Sequence, residues 1–116
     1  MMRIQKSAAY ERQLKEFAKD YRDRAGIETA DRFLDGIDEA VEFIAKMPQA
    51  CAVAYDLKTI DGLEDYEFRK WRVNGFPHAI FFRIEDDILM LQAIYAHKMN
   101  VLKRFPSEIN VMSGGE

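Results

Sequence analysis

Residues 66–96 carry the strongest strand and turn signals of the chain and read YEFRKWRVNGFPHAIFFRIEDDILMLQAIYA. Asn74-Gly75 is a strong hairpin signal because both residues accept a positive φ, and the acidic run Glu85-Asp86-Asp87 turns the chain a second time. The segment after that run is almost continuously apolar, as expected of a central strand that is covered on both faces. The stretch therefore predicts an antiparallel meander of three strands, over residues 66–73, 77–84 and 88–96.

The residues before this stretch predict a short strand and a helical hairpin. Met2–Lys6 reads as the strand, and Ser7 can cap the first helix by accepting a hydrogen bond from a free backbone N–H. Gly26 ends that helix, since glycine tolerates the left-handed conformation that follows a helix, and Pro48 prevents the second helix from continuing. The first helix carries one apolar stripe, formed by Tyr10, Leu14, Phe17 and Tyr21.

The second helix carries the clearest apolar stripe of the chain. Its members recur every three or four residues, as in an amphipathic helix, and they are Ile27, Ala30, Leu34, Ile37, Val41 and Ile44. The acidic outer face is typical of a solvated helix surface rather than of a metal site. With Phe81 or Phe82 opposite on the sheet, we expect burial of Leu34, Ile37, Val41 and Ile44.

The remaining segments complete the prediction of a single α+β domain over residues 1–116. Ala52–Leu57 reads as a further strand. Residues 97–107 begin a helix that Pro106 ends, and residues 108–116 are expected to form a frayed tail. The helical hairpin and the N-terminal strand should pack on the antiparallel meander.

Composition places the chain among ordinary globular proteins. It has 116 residues, of which 48% are hydrophobic and 32% charged, so that one core can form without a disulfide or a metal. The sequence has no run of about 18 apolar residues, which would predict a membrane span, and its N-terminus lacks the apolar part of a signal peptide. Cys51 is the single cysteine, and its small apolar neighbours indicate a packed side chain. We therefore expect a cytoplasmic protein without membrane contact.

Charge is distributed unevenly along the chain, whose formal net charge is −3. Residues 1–65 carry −4, whereas residues 66–116 carry +1. The overall balance argues against a general binder of polyanions. A local basic patch and a solvated strand face are both compatible with the basic side chains of the second part, which are Arg69, Lys70, Arg72, Arg83, Lys98, Lys103 and Arg104.

No familiar catalytic or cofactor motif is present in the sequence. There is no Gly-rich phosphate loop, no metal-spaced set of Cys and His, and no nucleophile elbow. We therefore predict no cofactor, no metal and no catalytic residue. His78 and His97 are isolated, and either could act as a general base near neutral pH, although a lone histidine more often satisfies a local hydrogen bond.

Taken together, the segments resemble the ParE-like branch of the ParE/RelE superfamily of bacterial toxins. That branch has a basic and aromatic strand, here FRKWRV at 68–73, and then a strand similar to FPHAIFFRI at 76–84. An acidic turn, an apolar strand and a terminal His97 complete the pattern, which extends from residue 2 to about residue 104. The second helix fits the family through Ala30, Phe33, Leu34, Ile37, Val41, Ile44 and Pro48.

The resemblance implies a RelE/ParE-like fold and the toxin of a type II toxin–antitoxin system. ParE-like members poison DNA gyrase, and RelE-like members are ribosome-dependent mRNA endonucleases. The ribonuclease branch usually has arginines where this chain has Ala79 and Met99, and neither residue can stabilise a developing phosphate charge or transfer a proton. The resemblance therefore favours gyrase inhibition, with an mRNA interferase as the first alternative.

A degenerate, non-toxic member that only binds its antitoxin is the second alternative. ParE-like members often carry a basic pair and Asp-Pro after the terminal histidine, whereas this chain reads His97-Lys98-Met99-Asn100. If that pair contributes to toxicity, this chain would lack part of the toxic surface.

We expect activity to reside in a basic and aromatic surface rather than in a catalytic centre. If Trp71 and Val73 point inward, Lys70 and Arg72 lie on the open face of the sheet. Arg72 and Arg83 lie on neighbouring strands, so they could form one positive patch. The predicted target-binding residues are Arg69, Lys70, Trp71, Arg72, Arg83, His97 and Lys98.

The partners implied by the resemblance are a cognate antitoxin and DNA gyrase. We expect the antitoxin to occupy an exposed apolar groove near the helical hairpin or at the sheet edge. Sequence-specific binding of nucleic acid is not expected, and both a homodimer and a toxin–antitoxin hetero-oligomer are compatible with the sequence.

Overall fold

The computed structural model describes residues 2–97, 99 and 101–108, the last three of them by their backbone only. In this part of the chain, two short 3₁₀ turns at Pro48–Ala50 and Tyr55–Thr59 accompany the longer elements. In chain order these elements are β1 (Arg3–Lys6), α1 (Ala8–Ala25), α2 (Ile27–Lys46), β2 (Ala52–Val53), β3 (Arg69–Arg72), β4 (His78–Glu85), β5 (Ile88–Ala96) and α3 (Val101–Glu108).

The strands form one mixed sheet in the order β1-β5-β4-β3-β2. Strands β3, β4 and β5 pair antiparallel, which confirms the predicted meander and the α+β class. Strand β1 joins β5 in parallel, and the two-residue β2 pairs antiparallel with β3. Strand β5 is therefore interior, and residues 89–95 are all buried, as their apolar run predicted.

The helical hairpin begins and turns at the predicted residues. The hydroxyl of Ser7 accepts a hydrogen bond from the N–H of Tyr10 at 2.9 Å, which satisfies one of the free donors at the start of α1. Gly26 separates α1 from α2 with a φ of +96°, a conformation that a side chain would strain. The two helices therefore fold back on each other and cover one face of the sheet.

The buried face of α2 is rotated relative to the prediction. Ile37 and Ile44 are buried as expected, but Leu34 and Val41 lie at the margin and are only half-buried. The prediction of burial is therefore wrong for Leu34 and Val41, although both side chains pack against the edge of the core. The centre of the buried face is formed instead by Ala30, Phe33, Ile37, Ala40 and Ile44.

Gly36 explains why α2 turns this face towards the sheet. A Cβ atom at Gly36 would lie 3.0 Å from Cγ1 of Val73, so the helix can approach the end of β3 only without a side chain there. Phe82 packs in the same core, as one of the two partners predicted for α2. Phe81 belongs to a second cluster on the other face of the sheet.

The two predicted turns differ in geometry. Asp86 and Asp87 both have positive φ, at +53° and +65°, so they form the tight two-residue turn that suits a hairpin. At the other turn, Gly75 alone of the predicted pair has a positive φ, at +84°.

The connection between β3 and β4 is one residue longer than residues 74–76, which the predicted strands left between them. The N–H of Val73 donates to the carbonyl of His78 at 2.9 Å, so residues 74–77 form the loop. A two-residue turn at Asn74-Gly75 would place Pro77 in the ladder, where it has no N–H to donate. Pairing therefore starts one residue later, at His78.

A β-bulge on β5 shifts the alternation of its side chains. Phe81 pairs with Ala93 and Phe82 pairs with Leu91, which leaves Gln92 without an opposite residue on β4. The extra residue shifts the alternation of side chains along the strand. The side of β5 that faces the helices consequently consists of Leu89, Leu91 and Ile94.

Helix α1 supplies polar contacts to the backbone at this bulge. The side-chain oxygen of Gln13 accepts a hydrogen bond from the N–H of Ile94 at 2.7 Å. The hydroxyl of Ser7 donates to the carbonyl of Gln92 at 2.7 Å. Because a bulge interrupts the regular ladder, these buried contacts fix the position of α1 on β5.

The face of the sheet away from α1 and α2, which we call the distal face, is covered over part of its area. The chain leaves the sheet after Val53 and returns at Arg69, so the strands predicted at 52–57 and 66–73 are shorter in the structure. The intervening segment and α3 build a second buried cluster, formed by Ala54, Leu57, Leu63, Phe68, Phe81, Ala93, Tyr95 and Phe105.

Helix α3 continues past the residue that was expected to end it. Pro106 lies within the helix, which extends to Glu108, so that prediction is wrong. A proline removes one backbone hydrogen bond, whereas Phe105 is fully buried in the second cluster and ties the helix to the sheet. The frayed tail was predicted for residues 108–116; Glu108 is instead the last residue of α3, and residues 109–116 lie outside the described residues.

Candidate binding site

Two cross-strand rows of side chains form the distal face near the ends of β3, β4 and β5. Paired residues direct their side chains to the same face of a sheet. By the pairing of the strands, one row is Ala52–Lys70–Phe81–Ala93 and the other is Arg72–Ala79–Tyr95. Ala79 is the smallest member of the second row, and it leaves a depression between Arg72 and Tyr95.

The depression is part of a hollow of about 900 Å³, whose lining includes Lys70, Arg72, Phe81 and Tyr95. A second hollow of about 430 Å³ adjoins it, because both are lined by Lys70, Phe81 and Val101. We call the two hollows together the distal groove. Its floor is apolar, since Phe81 and Tyr95 are buried, and its rim is basic.

The structure brings Lys70, Arg72 and His97 together at the rim of the distal groove. All three are exposed, and the side chains of Lys70 and Arg72 make no hydrogen bond or ion pair with any described residue. The backbone N–H of His97 donates to the carbonyl of Pro77 at 2.7 Å, which holds this residue beside the start of β4. Two unneutralised cations and an imidazole therefore border an apolar floor.

Arg69 and Trp71 point to the opposite side of β3. The Trp71 ring stacks on Phe43 of α2, with centroids 4.3 Å apart and planes 17° apart, so Trp71 points inward, which is the condition under which Lys70 and Arg72 lie on the open face. Nη1 of Arg69 donates to the carbonyl of Cys51 at 2.7 Å, and its Nη2 lies 3.4 Å from the carboxylate of Glu67. The contacts of both side chains are therefore largely internal to the fold.

Arg83 does not join the basic rim. Its side chain is only 4% exposed, and Nη1 lies 2.9 Å from the carboxylate of Glu85. Its guanidinium also stands 4.9 Å from the centre of the Tyr66 ring. The predicted proximity to Arg72 is wrong, because Arg72 pairs with Ala79 and Arg83 lies roughly 13 Å further along β4.

His78 and Lys98 are the remaining residues that the sequence analysis named. His78 is buried among the rings of Phe17, Tyr21 and Phe33, with centroid distances of 4.5, 5.8 and 5.1 Å. Burial lowers the pKa of His78, so the neutral imidazole is favoured and the residue acts as a core aromatic. Lys98 lies outside the described residues.

Cys51 is a free, buried thiol, as predicted from its small neighbours. Burial raises the pKa of this thiol, which disfavours the reactive thiolate. Cys51 therefore serves packing at the base of β2.

The two positions compared with the ribonuclease branch offer no charge to the distal groove. Ala79 is part of its floor. The sulfur of Met99 accepts the N–H of Ala96 at 3.1 Å, and its side chain packs against the second cluster. Within the described ranges, no group of three or more His, Cys, Asp and Glu residues could hold a metal ion. None of the helices described is both long and apolar enough to cross a membrane.

Several residues of the distal groove were not predicted from the sequence. Ala52, Phe81 and Tyr95 read as ordinary members of apolar strands, and only the pairing register places them side by side. Tyr55 and Leu102, at 70% and 45% exposure, also border the second hollow. Large apolar side chains that remain exposed together are typical of a docking surface.

Comparisons with known proteins agree with this architecture. A family model described as the ParE toxin of the type II toxin–antitoxin system parDE matches residues 4–101. A solved structure described as a chromosomal ParDE TA system from P. aeruginosa is similar in fold, with a TM-score of 0.65 and 18% sequence identity over 83% of this chain and 96% of that chain. The search of curated proteins found no match.

Proposed function

This chain belongs to the ParE toxin family of type II toxin–antitoxin systems, and we propose that it inhibits DNA gyrase and is neutralised by a cognate antitoxin. The proposed place of action is the cytoplasm. The proposed contact surface is the distal groove, with Lys70, Arg72 and His97 as the residues that meet the target. The observation that carries this proposal is the pair of unneutralised cations over an apolar floor.

The physical basis of the proposal is the combination of charge and apolar area. Exposed cations attract an acidic protein surface or DNA held by the target, and they orient the approach. The apolar floor around Phe81 and Tyr95 can then exclude water from the contact, as in the centre of protein interfaces. Asp56, in the second hollow, is the acidic residue among the described lining of the distal groove, so the rim keeps its positive balance.

The geometry gives weaker support to an mRNA interferase. Cleavage of a phosphodiester requires positive charge on the developing phosphate and a proton-transfer group. Lys70 and Arg72 could supply the charge, and His97 is the exposed imidazole of the groove. Ala79 and Met99 supply neither group, and for this reason we place the enzyme second.

The proposal is tested by inducing the chain in bacteria and by adding purified protein to a gyrase supercoiling assay. We expect growth arrest with DNA-damage signalling in cells, and loss of supercoiling in the assay. The double substitution Lys70→Glu/Arg72→Glu should abolish both effects. The matched control is Arg3→Glu/Lys6→Glu, which changes the same charge on exposed residues of β1 at the other edge of the sheet and should leave both effects intact.

Two other outcomes would replace the proposal. Arrested translation with cleaved mRNA would establish the interferase, and His97→Ala would then be the substitution to test. Normal growth together with unaffected supercoiling would identify a non-toxic family member.

A further inference from the structure

We propose that two copies of this chain associate through the groove between α1 and α2, around a two-fold axis that runs parallel to the helices. We call this surface the outer helix groove. An exposed apolar floor, two banks of opposite charge and the size of the helical hairpin support a second copy as its occupant. The distal groove lies on the other face of the sheet, so the association does not depend on the proposed function.

The floor of the outer helix groove is apolar and partly open to solvent. The groove is a hollow of about 390 Å³ whose lining includes Leu14, Ala18, Ile27 and Leu34. Ile27 heads the apolar stripe of α2, yet it is 66% exposed, and Leu14 and Leu34 are half-buried. Exposed aliphatic side chains that lie together are typical of a docking surface. Covering them would remove apolar area from water, which favours association.

The two banks of the outer helix groove carry opposite charges. The basic bank belongs to α1 and consists of Lys15, Lys19 and Arg22, which are all exposed. The acidic bank belongs to α2 and consists of Asp31, which lines the hollow, and Asp35, which follows one turn later. Lys15, Asp31 and Asp35 make no hydrogen bond or ion pair with any described residue. Their charges are therefore available to an incoming surface.

This arrangement of charge matches a second copy and fixes its orientation. A two-fold interface brings the same patch of both copies together. An axis parallel to the helices places α1 of one copy over α2 of the other, so each basic bank meets an acidic bank and the apolar floors meet between them. An axis across the helices would set like charges together. A partner of a single charge would be repelled by one of the two banks.

The heights of the charged residues along the hairpin agree with this orientation. Helices α1 and α2 turn back at Gly26, so residues at equal distances from Gly26 lie at similar heights. Lys19 precedes Gly26 by seven residues, and Asp31 and Asp35 follow it by five and nine. An axis parallel to the helices preserves height, so Lys19 of one copy would lie between Asp31 and Asp35 of the other.

The hairpin is large enough for a specific contact. Helices α1 and α2 have 18 and 20 residues, which makes them about 27 and 30 Å long. Side by side, with a width of about 10 Å each, they present roughly 550 Å² on each copy. The two copies together would contribute roughly 1,100 Å², which exceeds the roughly 1,000 Å² expected of a biological interface.

The first experiment measures self-association of the full chain by analytical ultracentrifugation at low and high salt. The parent should form a dimer with a dissociation constant in the micromolar range, and the dimer should weaken as salt screens the banks. Ile27→Glu places a charge on the apolar floor and should raise the dissociation constant at least roughly tenfold. Lys70→Glu/Arg72→Glu on the distal face is the control and should dimerise as the parent does.

The second experiment exchanges the charges of the banks. Lys15→Glu/Lys19→Glu makes both banks predominantly acidic, and Asp31→Lys/Asp35→Lys makes both basic. Each variant alone should be a monomer at concentrations where the parent is a dimer. An equimolar mixture should form a heterodimer, because the acidic banks of one variant meet the basic banks of the other. Misfolded variants would not recover on mixing, and thermal unfolding of each variant provides a separate check.

Several results would overturn the inference. These are a parent chain that stays monomeric, a dimer that Ile27→Glu leaves intact, and charge variants that do not combine on mixing. Dissociation by Lys70→Glu/Arg72→Glu would place the contact at the distal groove instead. If the chain is monomeric and Ile27→Glu prevents binding of the protein encoded by the adjacent reading frame, that protein occupies the outer helix groove. Failure of the supercoiling assay would refute the proposed function and leave the dimer unaffected.

Discussion

The two faces of the sheet differ in how they are covered, and the difference separates stability from binding. On the helix side, α1 and α2 close a continuous core that includes Phe33, Ile80 and Phe82. On the distal side, the second cluster covers one part of the sheet, and the distal groove lies beside it. Strand β3 contributes to both faces, since Trp71 stacks on α2 while Lys70 and Arg72 face the groove. Alternation along one strand thus lets neighbouring residues serve opposite purposes.

The largest expected loss of stability comes from the helix-side core. Phe33 is fully buried, and its ring contacts those of Tyr21, Phe76 and His78. Phe33→Ala should therefore lower the free energy of unfolding by ~3–5 kcal/mol, measured in urea. Leu34→Ala is the matched test of the rotated helix face and should cost less, because Leu34 is half-buried. If both variants lost the same free energy of unfolding, the buried face of α2 would not be centred on Phe33.

A smaller effect is expected where α1 supports the bulge of β5. Gln13→Ala removes the acceptor for the N–H of Ile94 and leaves a buried donor without its partner, so it should cost ~1–3 kcal/mol. The exposed substitution Lys15→Ala, two residues along the same helix, provides the control in the same urea titration. If Gln13→Ala left the free energy of unfolding unchanged, the hydrogen bond from Ile94 to Gln13 would not stabilise the bulge.

The stability of the helix-side core should also depend on pH, through His78. Burial lowers the pKa of His78 below its usual value near 6.5. As the pH falls below 6.5, His78 of the unfolded chain therefore takes up a proton before His78 of the folded chain does. The free energy of unfolding should keep its full value above pH 6.5 and decrease as the pH falls below 6.5.

The substitution His78→Phe isolates this effect. Tyr21, the titratable group that faces His78, has its pKa raised by burial and stays neutral throughout this range. The difference in unfolding free energy between pH 7.5 and pH 5.5 should therefore be smaller in His78→Phe than in the parent. If the unfolding free energy changed equally between the two pH values in both proteins, carboxylates and not His78 would cause the loss of stability in acid.

The smallest expected change in stability is on the distal face. Lys70→Glu/Arg72→Glu alters two exposed side chains without internal partners among the described residues, so the free energy of unfolding should change by less than about 0.5 kcal/mol. The same variant is expected to lose toxin activity. A loss of several kcal/mol would show that the rim stabilises the fold, and the separation between the two faces would then be wrong.

The parts of the fold that were predicted correctly depend on local chemistry. Ser7 caps α1 and Gly26 separates the two helices, because a cap and a left-handed residue are needed at those points whatever surrounds them. The apolar run from Ile88 to Ala96 predicted an interior strand for a similar reason, since its composition requires cover on both faces. Alternation along the strand groups Lys70 with Arg72 on one face, and the stacking of Trp71 on Phe43 in the structure shows that this is the open face.

The incorrect predictions concern positions that depend on neighbours distant in the chain. The register of β4 against β3 separates Arg83 from Arg72, and Tyr66 and Glu85 make Arg83 an internal residue. The close approach allowed by Gly36 rotates α2, which moves Leu34 to the margin of the core. Neither the pairing register nor the distance between a helix and a sheet follows from spacing in the sequence.

The fold class, the order of the main elements and the strand that carries Lys70 and Arg72 can all be predicted from local patterns in the chain. These features follow from periodicity, caps and turns, which act over a few residues. The shared surface of Ala52, Ala79, Phe81 and Tyr95, and the end of β2 before Arg72, become visible only in the folded chain. A groove depends on how side chains of different size pack beside one another, and that packing depends on contacts among segments that are far apart in the chain.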